Sequence, residues 1–461
     1  MKSPELLSPA GSLKNMRYAF AYGADAVYAG QPRYSLRVRN NEFDHDNLAL
    51  AINEAHQLGK QFYVVNNIAP HNGKLKTFLN DLAPVVAMQP DAFIMSDPGL
   101  IMLAKDAYPD LNIHLSVQAN AVNWASVKFW QRQGISRVIL SRELSIEEIE
   151  EIRQQCPDME LEVFVHGALC MAYSGRCLLS GYINKRDPNQ GTCTNACRWQ
   201  YQINSAEQDE MGNLQPGDVL ATGNYAGGCG EQSASPLFVM QESGRPGELM
   251  PAFEDEHGTY IFNSRDLRAV QHVERLLKIG VDSLKIEGRT KSFYYCARTA
   301  QIYRQAMDDA LAGKTFNPSL MHELEHLANR GYTDGFLKRH KQHGDLQNYD
   351  YASSVSDTQQ LVGEVIEKQN NRYLVEVKNK FVVGDTLELI SPAGNHSWTI
   401  TQMWDKQGNV ITDAKGSGHH VWLELPVEVK PEFCIVVRHL PHSQTTRSQF
   451  VSQIPLATQV D

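Results

Sequence analysis

The sequence predicts an α/β protein with two domains: a (β/α)8 barrel of the TIM type with a long Cys-containing insertion, and a small C-terminal antiparallel β-barrel domain. Short apolar strands alternate with amphipathic helical segments through residue 166, and short alternating strands follow residue 360. The length of 461 residues supports this division. A single hydrophobic core stops growing at roughly 250 to 300 residues, so at least two domains are expected.

The alternation of strands and helices is typical of a parallel sheet. Seven strands are predicted before the insertion, at residues 6–8, 26–29, 62–67, 92–95, 113–117, 137–141 and 160–166. Residues 283–286 supply an eighth, and eight strands fit a closed barrel. An open doubly wound sheet is the alternative, but no G-x-G-x-x-G motif follows the first strand. Helices are expected over residues 145–154, where Ser145 and Glu148 have the capping-box spacing, and over residues 266–277.

The predicted domain boundaries follow changes in this pattern. The barrel is expected at residues 1–345, with an insertion at about 168–258 whose Gly-, Ser- and Pro-rich part is typical of surface loops. The second domain, residues 355–442, has short alternating strands separated by turns, as in a small antiparallel β barrel or sandwich. Residues 443–461 form a polar tail that is expected to be disordered.

Composition and charge exclude several classes of protein. No secretion signal and no window of about 18 uncharged apolar residues is found, so a soluble, cytoplasmic protein that does not cross a membrane is expected. The net charge of −10 argues against a sequence-blind nucleic-acid binder. Residues 265–304 nevertheless carry nine Lys or Arg against four Asp or Glu. This segment predicts either a local basic face or a solvated helix surface.

Four cysteines lie close together in the insertion, at Cys170, Cys177, Cys193 and Cys197. They begin just beyond the C-terminal end of the seventh strand, where barrel enzymes assemble their sites. Four thiols in a Gly- and Ser-rich loop favour metal binding over free thiols. Because the paired C-x-x-C knuckles of zinc sites are absent, the spacing slightly favours an iron–sulfur cluster. Cys229, in a GGCG segment, is a candidate to replace one ligand.

The segment EVFVHGALCMAYSGRCLLS resembles the motif of the collagenase-like peptidase family U32. Every fixed position of that motif is met, by Glu162, Phe164, Gly167, Ala168, Leu169, Cys170, Gly175, Cys177, Leu179 and Ser180. The segments ELLSPAG, AVYAG and SLKIEGR are also similar to the family, so the resemblance covers the whole barrel. Within the family, the sequence is most similar to the branch that hydroxylates the wobble uridine of tRNA to 5-hydroxyuridine.

The resemblance implies an oxygen-independent enzyme. It implies a 4Fe–4S cluster on the four insertion cysteines, tRNA as the macromolecular partner, and prephenate, a small dicarboxylic acid, as the hydroxyl donor. The electron path stays open, with a redox partner as one candidate. The word peptidase does not fit the residues, because a cysteine protease needs a thiolate paired with His and no H-E-x-x-H motif is present.

The candidate site residues lie at the C-terminal ends of the predicted strands. His166 is a candidate proton donor or a partner of cluster sulfur, with a satisfied core histidine as the alternative. Guanidinium groups bind carboxylates in bidentate fashion, which favours cationic side chains as prephenate ligands. The cations predicted to bind prephenate, or alternatively tRNA phosphates, are Arg37, Arg142, Lys285 and Arg289. Candidates to stack on an unstacked base are Tyr173, Trp199, Tyr294 and Tyr295.

Further polar residues at the strand ends are predicted to face the cavity or to cap helices: Asn66, Asn67, Ser96, Asp97, Gln118, Asn120, Glu143 and Glu287. Two other functions remain open at this point. One is a genuine peptidase acting on collagen-like substrates. The other is a zinc-stapled RNA-binding protein that assists a hydroxylase and has no catalysis of its own.

Overall fold

The computed structural model describes residues 3–36, 42–170, 172–177, 180, 186–191, 264–338 and 358–440. It also describes the backbone of six short strands between residues 201 and 259. Cys193, Cys197, Cys229, Arg37, Trp199 and the tail 443–461 lie outside these residues.

Eight parallel strands close into a barrel, which confirms the predicted fold class. The strands are β1 Glu5–Pro9, β2 Ala26–Gly30, β3 Gln61–Asn66, β4 Ala92–Met95, β5 Ile113–Leu115, β6 Arg137–Ile139, β7 Glu160–Ala168 and β8 Ser283–Ile286. Each strand from β1 to β7 pairs with the next, and β8 pairs with both β7 and β1. The sheet therefore closes on itself, and the carboxyl ends of its strands meet at one mouth.

Helices cover the outside of this barrel. They are α1 Leu13–Ala21, α2 His45–Gln57, α3 Asn72–Ala87, α4 Pro98–Ala107, α5 Trp124–Arg132, α6 Ile146–Gln155, α7 Val273–Ile279, α8 Phe293–Leu311 and α9 Ser319–Glu325. Ser145 and Glu148 form the predicted capping box at the start of α6, and Ser292 caps α8. Among the described residues, no helix is both long and apolar enough to cross a bilayer.

The helix predicted over residues 266–277 is wrong in its first half. Asp266–Arg268 forms a strand antiparallel to the end of β7, and α7 begins only at Val273. Asp266 is buried and pairs with the guanidinium of Arg330, and its neighbour Leu267 pairs with Thr333. These tertiary contacts override the local helical periodicity, which is a weak determinant over so few residues.

The barrel interior contains a buried network of charged side chains. The Nη1 atom of Arg137 on β6 lies 2.6 Å from an oxygen of Glu5 and 3.2 Å from an oxygen of Glu162. The Nζ atom of Lys285 on β8 lies 2.7 Å from the other oxygen of Glu162, which is fully buried. An unpaired charge in such a place costs several kcal/mol, roughly 3–5, so the pairs make the polar interior tolerable.

The second domain contains an eight-stranded antiparallel sheet and a two-stranded sheet, Phe381–Val382 with Asp413–Ala414, and has a hydrophobic core of its own. The strands of the larger sheet are β9 Gln359–Gln369, β10 Arg372–Val377, β11 Thr386–Ser391, β12 Gly394–Thr399, β13 Met403–Trp404, β14 Val410–Ile411, β15 His420–Leu423 and β16 Ile435–His439. The strands lie in the order β12-β11-β16-β9-β10-β15-β13-β14. The structure thus confirms the change from a parallel barrel to an antiparallel β domain.

The two domains pack through α1 and the neighbouring sheet. The hydroxyl of Tyr18 donates to Glu364 at 3.0 Å, and the ammonium of Lys14 lies 2.6 Å from the same carboxylate. The hydroxyl of Tyr22 donates to the backbone carbonyls of Ile390 and Phe433, at 2.9 and 2.7 Å. Ile390 also joins the hydrophobic core of the barrel. This contact fixes the β domain on one side of the barrel.

The buried carboxylate of Glu162 generates the first prediction. Glu162→Gln keeps the side-chain volume but leaves the Lys285 ammonium without its carboxylate partner, so the free energy of unfolding should fall by roughly 3–5 kcal/mol. The control is Glu274→Gln, which breaks the exposed pair between Lys278 and Glu274 on α7. This change should alter the free energy of unfolding by less than about 0.5 kcal/mol. Urea unfolding measures both. Equal stability of Glu162→Gln and the wild type would contradict the charged pair.

Candidate functional site

A cavity of about 140 Å³ opens at the mouth of the barrel. Its walls are partly apolar and partly polar, as in small-molecule sites at this end of barrel enzymes. The apolar part includes Tyr28, Val65, Ile94, Ile139 and Phe164. The polar part includes Asn67, Ser116, Gln118, Arg142, Lys285, Glu287 and Arg289, and the loop after β7 adds Cys170, Tyr173 and Cys177.

Two of the four predicted metal ligands line this cavity. Cys170 is exposed and Cys177 is partly exposed, so both thiols lie where a bound group can reach them. The described part of the chain brings no three His, Cys, Asp or Glu side chains together as a metal site. The other two predicted ligands, Cys193 and Cys197, and the candidate replacement Cys229 lie outside that part, so the four-thiolate site stays a prediction.

The loop that carries the two cysteines is held by side-chain amides that donate to its backbone carbonyls. The side-chain amide of Asn120, in the loop after β5, donates to the carbonyl of Ser174, and that of Asn189, in the insertion itself, donates to the carbonyl of Cys177 at 3.0 Å. Gly175 has φ +73°, and a Cβ atom there would lie 2.8 Å from the carbonyl oxygen of Gln118. Only glycine permits this approach, which explains the glycine at this position of the motif.

The mouth is lined by three of the four cations predicted to bind substrate. Arg142 donates from Nη1 to the carbonyl of Ala168 at 2.6 Å, and its guanidinium lies 4.6 Å from the ring centroid of Phe164. Arg289 donates from Nη2 to the carbonyl of Leu36 at 2.6 Å. Arg289 also donates from Nη1 to the hydroxyl of Ser35 at 3.3 Å. A guanidinium has five N–H donors in a planar fork, which is the geometry that carboxylates match. The fourth cation, Arg37, lies outside the described residues.

Lys285 forms part of the cavity floor. Its Nζ atom lies 4.2 Å from the ring centroid of Tyr28 and is bound to Glu162. Burial lowers the pKa of Lys285 below its ordinary value, while Glu162 opposes that shift. Because the ammonium is buried and partly neutralised, it favours an anionic ligand at close range rather than long-range attraction. Glu287 is the one carboxylate among the described lining residues.

The structure does not bring His166 into the cavity. Glu162 and Phe164 face the interior, but the register of β7 against β8 shifts after Phe164, so that Ile286 pairs with His166. This bulge turns the imidazole outward, into contact with the rings of Tyr295, Tyr303 and Tyr332 at centroid distances of 5.8, 5.5 and 5.4 Å. The geometry favours the alternative named for this residue, a core histidine.

The glycine that follows His166 also shapes this turn of the chain. Gly167 has φ +111°, and a Cβ atom there would lie 2.5 Å from the carbonyl oxygen of Glu287. The end of β7 can therefore approach the loop after β8 closely only because the position is glycine. A hydrogen bond joins the two segments, because the backbone amide of Glu287 donates to the carbonyl of His166 at 2.8 Å.

The basic segment 265–304 is not a continuous cationic face. Six of its nine cations form ion pairs with carboxylates. Four of these pairs connect a helix to another segment, one joins β7 to β8, and one lies within α7. The pairs are Arg268–Glu325, Arg275–Glu147, Lys278–Glu274, Lys285–Glu162, Arg298–Glu323 and Arg304–Asp25. The expectation of a local basic face is therefore wrong for most of this segment, because partners distant in sequence neutralise it.

Residues 11–347 match peptidase family U32, and residues 357–435 match the C-terminal domain of that family. The chain belongs to peptidase family U32. Its barrel, cysteine loop and β domain are thus features of one family architecture, and the resemblance inferred from the EVFVHGALCMAYSGRCLLS motif is confirmed.

Characterised relatives include RNA-modifying proteins. The chain is 64% identical over 451 residues to tRNA hydroxylation protein P of Escherichia coli K12, which covers 97% of this chain and 99% of that protein. It is 28% identical over 399 residues to the 23S rRNA 5-hydroxycytidine C2501 synthase of the same organism, which covers 84% of this chain and 52% of the synthase. A solved U32 peptidase structure is 14% identical, with a TM-score of 0.35, and covers 62% of this chain and 93% of its own.

The sequence analysis predicted no role in the site for two residues, Tyr28 and Glu162, although Glu162 is a fixed position of the family motif. Tyr28 lines the cavity from β2, and its hydroxyl donates to the carbonyl of Ile286 at 2.9 Å. Glu162 holds Lys285 in place from β7. Two features of the sequence could have indicated these roles. Tyr28 has an inward-facing position near the end of a strand, and Glu162 is a charged residue inside an apolar strand. Asp97 caps α4, as its alternative role predicts.

The buried imidazole of His166 generates a pH prediction. Burial, with Lys291 and Arg268 nearby, lowers its pKa from 6.5 to about 3. Between these two values the unfolded chain binds a proton that the folded chain does not, so this residue reduces stability as pH falls. The contribution is about 1.4 kcal/mol per pH unit within that window.

His166→Gln should therefore flatten the fall of unfolding free energy between pH 6 and pH 4 relative to the wild type, as measured by urea unfolding at a series of pH values. His322→Gln, at an exposed position on α9, is the matched control and should leave the slope unchanged. A His166 proton that titrates near pH 6.5 by NMR would show instead that the imidazole is solvated.

Proposed function

We propose that this chain is an oxygen-independent tRNA hydroxylase that converts the wobble uridine to 5-hydroxyuridine, with prephenate as the hydroxyl donor and a 4Fe–4S cluster at the barrel mouth. The observation that carries the proposal is the convergence of two insertion thiols and three cations on one cavity. The family and the names of the relatives support an RNA-modifying hydroxylase.

The cations account for recognition of a dicarboxylic acid. Arg142 and Arg289 each donate to a backbone carbonyl, which fixes the direction of the guanidinium at the cavity wall. Guanidinium groups held in this way are suited to binding carboxylates. Lys285 supplies a buried ammonium 4.2 Å from the ring centroid of Tyr28. An acid that carries two carboxylates and an apolar ring fits this combination of cations and apolar walls.

A base would enter the same mouth from the rim. Tyr173 lies between Cys170 and Cys177 in sequence, lines the cavity and is 55% exposed, so its ring is accessible to a ligand. Enzymes that modify a base take it out of the stack and hold it against aromatic side chains. Tyr173 is therefore proposed as the stacking surface, and Glu287 as the group of the described lining that can accept a proton.

The cysteines account for the metal. Cys170 and Cys177 lie at the cavity, and Cys193 and Cys197 follow in the same insertion, so four thiolates of one loop region would hold the cluster. When bound there, an iron–sulfur cluster supplies one-electron chemistry next to the substrate. The chain's own residues bind the acid, orient the base and exclude water around it.

The peptidase alternative is supported by the family name and not by the described lining of the cavity. The described lining of the cavity contains no histidine, and His166 faces away from it, so neither Cys170 nor Cys177 has an imidazole beside it there. A thiolate without such a base is not the nucleophile of a cysteine protease. Metal analysis distinguishes the zinc-stapled RNA-binding alternative from the proposed iron–sulfur enzyme.

The metal prediction uses protein purified without oxygen. About four iron atoms per chain and broad absorption near 400 nm are expected, and Cys170→Ala or Cys177→Ala should abolish both. The matched controls are Cys156→Ala and Cys434→Ala, at buried positions outside the cavity, which should keep the iron. Stoichiometric zinc without iron in the wild type would contradict the cluster and favour the zinc-stapled alternative.

The function itself is tested in cells. A strain that lacks this gene and any redundant dioxygen-dependent hydroxylase should lose 5-hydroxyuridine from its tRNA, as measured by mass spectrometry of nucleosides. Blocking prephenate synthesis should give the same loss. The wild-type gene and Cys156→Ala should restore the nucleoside, and Cys177→Ala should not. Wobble uridine that stays fully hydroxylated in the double deletion would overturn the proposal.

A further inference from the structure

A second cavity, of about 450 Å³, lies between the barrel and the β domain. The barrel contributes Lys291 and Ser292 from the loop before α8, and Tyr294 from the first turn of that helix. The β domain contributes Gln359, Gln360 and Arg438 from β9 and β16. We call this cavity the interdomain cleft. It exists only because the two domains pack side by side.

The charge of the cleft is opposite to that of the chain. No Asp or Glu is among the described residues that line it, although the chain has a net charge of −10. Its two permanent cations are Lys291 and Arg438. Arg438 is oriented by Asp385 at 3.3 Å and Gln360 at 2.8 Å, which offset part of its charge. The ammonium of Lys291 lies 5.4 Å from the ring centroid of Tyr295.

Two further features favour an anion in the cleft. The Nε atom of Arg438 is buried and has no hydrogen-bond partner among the described residues. The 19-residue helix α8 begins at the cleft wall, where its N-terminus adds partial positive charge. The rest of the described wall combines polar side chains and tyrosine rings with the aliphatic residues Leu327, Ala328, Leu361 and Leu440. Grooves that bind nucleic-acid backbones without reading sequence also combine cations with aromatic side chains.

One loop forms a wall of both cavities. Glu287 and Arg289 line the barrel mouth, and Lys291 and Ser292 line the interdomain cleft, within six residues of chain. The loop is anchored at both ends: the hydroxyl of Tyr295 donates to the carbonyl of Glu287 at 2.7 Å, and the amide of Asn15 donates to the carbonyl of Lys291 at 2.9 Å. A polymer that places one nucleotide in the mouth therefore has the cleft beside its neighbouring nucleotides.

We infer that the interdomain cleft binds the sugar–phosphate backbone of the RNA substrate, next to the nucleotide that enters the barrel mouth. This inference rests on the proposed function and adds a role for the β domain, which holds the RNA against the barrel. Lys291 and Arg438 contact phosphates, and neither selects a base.

The test compares binding of tRNA to full-length protein at a series of salt concentrations. In the Lys291→Gln, Arg438→Gln double variant, binding should weaken, and the slope of log K against log salt should become shallower by about 0.7 to 0.9 for each lost phosphate contact. Lys291→Glu, which leaves the pair between Arg438 and Asp385 intact, should weaken binding as well. Thermal unfolding and iron content check that each variant keeps its fold.

The matched control changes two exposed lysines of the β domain outside the cleft, Lys406→Gln with Lys430→Gln, and should leave the slope unchanged. Wild-type protein that binds tRNA with a slope identical to that of the cleft variants would overturn this inference alone. Wild-type protein that binds no tRNA would overturn the proposed function together with it. A slope that falls equally in the control would show general electrostatic attraction in place of a cleft contact.

Discussion

The carboxylate of Glu162 connects the interior of the barrel to the floor of its cavity. One oxygen binds Lys285 on β8 and the other binds Arg137 on β6, which in turn binds Glu5 on β1. A barrel interior of this kind tolerates charges only as pairs, since desolvation is offset by close partners. The network therefore holds Lys285 at a defined depth beneath the mouth. The other residues of the cavity surround this buried ammonium.

The end of β7 connects the barrel interior to the loop at the cavity. The register shift after Phe164 turns His166 toward the outer tyrosines, and Gly167 lets the chain pass close to Glu287. The chain then leaves the sheet at Ala168 and enters the loop of Cys170 and Cys177. A bulge at the end of a strand is a common device for redirecting side chains beside a site. Here it separates a structural histidine from the thiols that follow it by a few residues.

The β domain forms a second cavity beside the barrel. Its contacts with Tyr18 and Tyr22 of α1 are hydrogen bonds at the interface, and Ile390 joins the barrel core, so the domain is held in one place. The loop between β8 and α8 then separates a mouth of about 140 Å³ from a cleft of about 450 Å³. Two adjacent cavities on one loop fit a macromolecular substrate, which needs one pocket for the reacting unit and another surface for its backbone.

The sequence alone determined the eight-stranded barrel, the change to an antiparallel domain and the family. It also placed Cys170, Cys177, Arg142 and Arg289 at the mouth. These outcomes follow from periodicity and motif spacing, which are local properties of the chain. Tertiary structure decided the rest. The direction of His166 depends on a register shift between β7 and β8, the strand at Asp266 depends on Arg330, and the neutralisation of residues 265–304 depends on carboxylates elsewhere in the chain. Each of these outcomes is set by a partner distant in sequence, which local propensity does not encode.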